Sequence, residues 1–129
     1  MNTIIITNNP RVNIEYSNRE NVLFFPDLDQ LDILKKARDY IHLGSKLIAH
    51  PMMGRIKPHE TPYKSVYLEE IKGDLDFLSL QIIEDSIKET NKFLTDTYMI
   101  KYVEENLPDL AYIEYLLLKN AVEEYENGK

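Results

Sequence analysis

Two rhythms of apolar and polar positions run through the chain. Residues 3–7, Thr-Ile-Ile-Ile-Thr, are β-branched throughout and stop at Asn8-Asn9-Pro10, a turn signal. A run without alternation predicts a strand covered on both faces, as in a parallel sheet. Pro10 opens a short helix to about Tyr16, capped by Asn9. Residues 21–25 read as a second strand, ended by Pro26. Asp27 with Gln30 three residues on has the spacing of a capping box. Leu31, Leu34, Ala37 (or Arg38) and Ile41 then recur at helical spacing, and Gly44 stands where a left-handed C-cap glycine belongs. That pattern predicts a helix over about 28–43. Residues 46–49 and 65–68 read as third and fourth strands, with a turn at Lys72-Gly73-Asp74. An amphipathic helix follows from Leu75 to about Leu94, with Leu80, Ile83, Ile87, Thr90 and Leu94 on one stripe and an interruption at 95–97. The last helix starts after Asn106 as cap and buries Leu110, Ile113, Leu117 and Ala121; residues 123–129 fray into solvent.

Strands alternating with helices imply an α/β fold: a single small layered domain over residues 1–129, with a mainly parallel four-stranded sheet flanked by helices. Right-handed crossovers favour the strand order 2-1-3-4. That order places a switch point between the first and third strands, and ligands of open parallel sheets bind outside the carboxyl ends of strands at such a point. Those ends carry Asn8 and Asn9 on one side and His50 on the other, which are therefore expected to meet.

Residues 50–65 fit neither rhythm. They hold three of the six prolines and two of the three histidines. Irregular segments of this length in compact domains are commonly binding loops, and prolines stiffen this one. Charge points to the same place. The chain carries −7 overall, yet Lys46, Arg55, Lys57 and Lys64 against Glu60 give residues 46–65 a charge of +3. A narrow basic island suits a small anion better than a nucleic-acid backbone, so a small anionic metabolite is the expected ligand and no nucleic acid is expected. The candidate ligand-binding residues are Asn8, Asn9, His50, Lys57, Glu60, Thr61, Tyr63, Lys64 and Ser65. His50 is also the one catalytic candidate, a general acid/base with Lys57 or Lys64 holding an anion.

Composition removes several classes. The chain has no cysteine, so disulfides, thiolate metal sites and cysteine nucleophiles are excluded. Its glycines are scattered, with no phosphate-cradling loop, and no cofactor is expected. No metal is expected either; His50, His59 and Glu60 are the only plausible set. The N-terminus lacks a signal-peptide pattern and no apolar run spans a bilayer, so a cytoplasmic protein without membrane contact is the expectation. The leucine and isoleucine stripe of the last helices serves the core, or in part a homodimer interface.

The same residues carry a likeness. Thr7-Asn8-Asn9-Pro10, residues 37–44, His50-Pro51, Gly54 and above all Lys57-Pro58-His59-Glu60-Thr61-Pro62-Tyr63-Lys64-Ser65 resemble the GrdX family. Residues 78–84 and the helix over 109–121 are similar too. The resemblance implies a genomic setting beside the selenium-dependent glycine, sarcosine and betaine reductases of anaerobic amino-acid-fermenting bacteria. It transfers no catalytic residue. Together with the residues, it suggests an accessory protein of that reductase system; the residues themselves point to binding of a small anionic metabolite or a partner protein through residues 50–65, with a small His50-dependent enzyme as the alternative.

Overall fold

The computed structural model describes residues 2–52, 54, 58–96 and 104–128, and for His59, Thr95, Asp96 and Glu104 the backbone alone. Among these residues four strands, β1 (Thr3–Thr7), β2 (Asn21–Phe24), β3 (Lys46–Leu47) and β4 (Ser65–Glu69), form one sheet, and four helices, α1 (Pro10–Tyr16), α2 (Gln30–His42), α3 (Phe77–Asp96) and α4 (Leu107–Asn127), cover it. Two short 3-10 turns, Pro58–Glu60 and Glu104–Asn106, interrupt the connections.

The fold is α/β, but the sheet is mixed rather than mainly parallel, and its order is β2-β1-β4-β3 rather than 2-1-3-4. β1 pairs with β2 in parallel, Ile4 opposite Asn21 through Thr7 opposite Phe24. β4 inserts between β1 and β3 and runs antiparallel to both, with Thr7 opposite Ser65 and Lys46 opposite Glu69. The physical reason lies in the connection before β4. A parallel return needs a crossover, usually a helix, and the segment between β3 and β4 contains only a 3-10 turn among its described residues. The chain therefore comes back alongside β3 in the opposite sense.

Both faces of the sheet are covered, as the unbroken apolar run of β1 requires. Ile4, Ile6, Val66 and Leu68 face α2 and α3, packing on Ile33, Leu34, Ala37, Ile41 and Ile83. Ile5 and Tyr67 face the other way, onto Val12 and Tyr16 of α1 and Tyr115, Leu118 and Val122 of α4. Burial on both faces constrains the layers and leaves strand direction open, which is how the same residues fit an antiparallel neighbour.

Local signals explain most element ends. Asn9 caps α1, its side chain accepting from Arg11 N, with Pro10 in the first turn. α2 starts two residues later than its capping-box pattern suggests. Asp29 is the cap, accepting from Asp32 N, and Gln30 is thereby the first helical residue. α3 passes through Thr95 to Asp96 without a break; Thr97 lies outside the described residues. Asn106 precedes α4 without a side-chain cap bond, and α4 continues to Asn127 instead of fraying at 123. Its buried line is Ala111, Glu114, Tyr115, Leu118 and Val122, one position round from the expected stripe, so that Ile113 is exposed. No helix among the described residues is long and apolar enough to cross a membrane.

Gly44 fixes the exit from α2. Its φ is +113°, and a Cβ there would stand 2.6 Å from Gly73 N and 2.9 Å from Ile71 O. Gly73 N in turn donates to Leu43 O at 3.1 Å, locking the 71–73 turn against the helix end. Gly44→Ala is expected to cost on the order of 1–3 kcal/mol through backbone strain and this clash. Thermal unfolding checks it; an unchanged midpoint would mean that the 71–73 turn moves aside freely.

Candidate functional site

The carboxyl end of β1 organises the polar residues of the molecule. Asn8 is a three-way tie. Its Nδ2 donates to Leu28 O at 2.9 Å and to Pro62 O at 3.0 Å, and its Oδ1 accepts from Lys64 N at 2.9 Å. It thus joins β1, the β2–α2 connection and the approach to β4. Asn9 works towards the other face. While capping α1 it donates from Nδ2 to Ala111 O and to Glu114 Oε1, both at 2.9 Å. The amides of both asparagines are committed to the protein itself.

Behind Asn9 lies a buried polar network. Glu114 Oε1 also accepts from Ser65 Oγ at 2.9 Å, and Ser65 Oγ shares a 2.7 Å hydrogen bond with Thr7 Oγ1. Thr7 Oγ1 takes the Asn9 N–H at 2.9 Å. Burial pushes the Glu114 carboxyl up from the ordinary carboxylate range, against the pull of the Asn9 and Ser65 hydrogen bonds and the Lys64 charge. Burial pulls Lys64 down, with Glu114 acting the other way. The Lys64 ammonium donates to Pro51 O at 2.7 Å and lies 4.0 Å from Met52 Sδ, so it is turned inward.

This arrangement predicts a pH signature. A carboxyl raised on folding supports the fold fully below its unfolded value, about 4.3, and loses that support as pH rises through its folded value. Glu114→Gln cannot lose it. The midpoint of the variant minus that of the parent should therefore increase as pH rises above about 4. A difference that stays flat with pH would show that Glu114 titrates alike in both states.

On the α2 side a cleft of about 640 Å³ opens at the same end of the sheet. Its walls are the β2–α2 connection from Pro26 to Gln30, the 58–63 segment, and the facing ends of α3 and α4 at Leu94 and Leu107. Gln30, buried at the start of α2, holds the second wall. Its Nε2 donates to Pro58 O at 2.8 Å and to Thr61 O. Thr61 Oγ1 accepts from Tyr63 N at 3.3 Å, tightening the turn at Pro62. Tyr63 is half-buried in the lining, and burial raises its phenol. The cleft is largely apolar with a few fixed polar groups, the usual make-up of a small-molecule site.

The candidate residues divide. Asn8, Thr61 and Tyr63 line the cleft. Asn9, Lys64 and Ser65 belong to the buried network around Glu114. Glu60 is exposed in the 3-10 turn. Lys57 and the side chain of His59 lie outside the described residues. His50 leaves β3 at the same end of the sheet as Asn8, but β4 stands between β3 and β1. It is exposed, its Nδ1 accepts from Met52 N at 3.0 Å, and it borders a separate hollow with Ile48, Ala121 and Tyr125. It shares no hydrogen bond with Asn8 or Asn9.

Two residues of the site escaped the sequence. Gln30 reads as half of a capping box centred on Asp27, which hides its hold on the loop. Glu114 has a visible signal in retrospect: it falls on the helical spacing of Ala111, Leu118 and Val122, an acid within a buried line.

Neither a curated protein nor a solved structure matches the chain. A family model described as GrdX-like protein matches residues 4–123. The match takes in every described residue that lines the cleft and the whole Glu114 network. The chain belongs to the GrdX-like protein family.

Proposed function

We propose that this GrdX-like chain is an accessory protein of the glycine, sarcosine and betaine reductase system, and that it binds a small molecule in the cleft beside Gln30 without turning it over. The observation that carries this reading is the way the cleft wall is held. Gln30 fixes Pro58 and Thr61 through their carbonyls, and Asn8 fixes Pro62 and Lys64. A wall set in advance lowers the ordering cost of binding. The groups with the most reactive chemistry, Lys64, Ser65 and Glu114, are bonded to the protein's own atoms, which favours a binding module over an enzyme.

Thermal unfolding with glycine, sarcosine, betaine and acetyl phosphate tests it. A ligand present at 100 times its Kd stabilises by about 2.7 kcal/mol. At least one compound should raise the midpoint and be recovered unchanged. No stabilisation by any of them would count against the reading. Consumption of the compound would replace it with an enzyme, and His50 would become the first residue to vary.

A further inference from the structure

The two edges of the sheet are finished differently. β3 is two residues long, and Ser79 Oγ takes the Leu47 N–H at 3.0 Å. β2, at the other edge, reads Asn21-Val22-Leu23-Phe24, with no proline and no charged residue. No side chain among the described residues bonds to its backbone. An edge left in this state is a template for another strand.

The register tells which backbone groups of β2 are open. Thr7 stands opposite Phe24 and accepts from Phe25 N at 2.8 Å. Backbone groups alternate in direction along a strand, so Leu23 and Phe25 face β1, while Val22 and Phe24 turn their N–H and C=O groups outward. No described residue bonds to these outward groups. The open stretch is closed at both ends. Before it, Glu20 N already donates to Tyr16 O at 2.9 Å. After it, Pro26 has no N–H to give.

Such a stretch is complementary to itself. With a second copy antiparallel and Leu23 opposite Leu23, Val22 of each chain exchanges both its bonds with Phe24 of the other. Every outward group is then satisfied. Sliding either way by one ladder step sets Glu20 or Pro26 against an open residue and forfeits bonds. Charge agrees with this register, which brings Arg19 of one copy toward Asp27 of the other at both ends of the seam. Both side chains are exposed. Asp27 takes part in no ion pair among the described residues, and Arg19 only in a 3.7 Å contact with Glu126.

We propose that β2 joins two copies of this chain edge to edge, about a twofold axis at Leu23, so that their sheets become one. The axis closes the assembly at two chains, because it uses up both open edges. Leu23 meets its own copy on the α2 face, and Val22 meets Phe24 on the α1 face. So short a seam makes a dimer that dissociates on dilution.

Sedimentation velocity of the full chain, from about 1 µM to about 500 µM near physiological salt, should show monomer passing into dimer and nothing larger. Val22→Pro removes an outward N–H and leaves the bonds to β1 in place. It should weaken the dimer about tenfold or more. Single cysteines then fix the geometry, since the chain has none of its own. Facing residues of a non-hydrogen-bonded antiparallel pair have Cα atoms about 4.5 Å apart, within reach of a disulfide. Leu23→Cys should therefore cross-link to itself on mild oxidation at dimer-forming concentration. Asn21→Cys is displaced along the strand from its own copy by about 13 Å and should not. If Val22→Pro fails to fold, the two cysteine variants decide alone. A parent chain that stays monomeric throughout overturns the proposal and leaves the edge to a strand of another protein. A dimer untouched by Val22→Pro, equal cross-linking of both cysteines, or cross-linking of neither also overturns it.

Discussion

Asn9→Ala is expected to destabilise the fold by about 2–4 kcal/mol, the largest effect of any single polar substitution at the site. Three losses combine. The cap of α1 disappears with the Oδ1 that accepts from Arg11 N, worth about 1 kcal/mol. Ala111 O and Glu114 Oε1 each lose a buried donor, Glu114 Oε1 keeping Ser65 Oγ, and together these losses cost about 1–3 kcal/mol. Asn9→Asp separates these parts. It keeps the capping oxygen but turns an acceptor toward Ala111 O and Glu114, so it should be no better than alanine. Urea unfolding gives both values. An alanine variant within about 0.5 kcal/mol of the parent, the range of an ordinary surface change, would show that the Asn9 bridge between β1 and α4 is dispensable.

Gln30→Ala should separate the cleft from the core. The substitution frees Pro58 O and Thr61 O together, at a cost of about 1–3 kcal/mol. It leaves Ile33, Leu34, Ala37 and Ile41 packed on the sheet, so unfolding remains cooperative. The consequence is local. The 58–63 wall loses its anchor to α2 while Asn8 still holds Pro62 and Lys64. Proteolytic nicking should rise within residues 50–65, and any ligand that stabilises the parent should bind on the order of tenfold more weakly, since the wall of its site is lost. Unchanged affinity in the variant would place the ligand outside this cleft.

Much of this fold is legible in the sequence, and the illegible parts have definite causes. The run Ile4-Ile5-Ile6 announces a strand buried on both faces, and Asn9-Pro10 and Gly44 mark helix ends by conformational requirements that few residues meet. Strand direction is not written in such a run. The decisive clue was instead the 50–65 segment, whose lack of apolar period leaves no material for a crossover helix and so turns β4 antiparallel. The phase of α4 is obscured because Tyr112, Ile113, Leu116 and Leu117 make it apolar nearly all round. The buried Glu114 adds a polar residue to the inner line, which hydrophobic periodicity misassigns to the surface.

The site is divided in the same way. Thr61-Pro62-Tyr63 is recognisable as a stiff loop, and it does form a wall of the cleft. The partners of Asn8 and Gln30 are backbone carbonyls, which have no residue signature and become visible only once the chain is folded. Three acids between 27 and 32 offer competing caps for α2. The choice of Asp29 moves Gln30 from a capping role into the first turn, where its amide reaches the loop. Charge summed along the sequence does not say where each side chain points. Lys64 counts toward a basic surface, yet its ammonium is bonded inward to Pro51 O.

The most direct test of the account is a crystal structure of the full chain grown with the compound that stabilises it most. That compound is expected in the cleft between Gln30, Thr61 and Tyr63. Density for it beside His50 and Tyr125, or anywhere outside this cleft, would contradict the account.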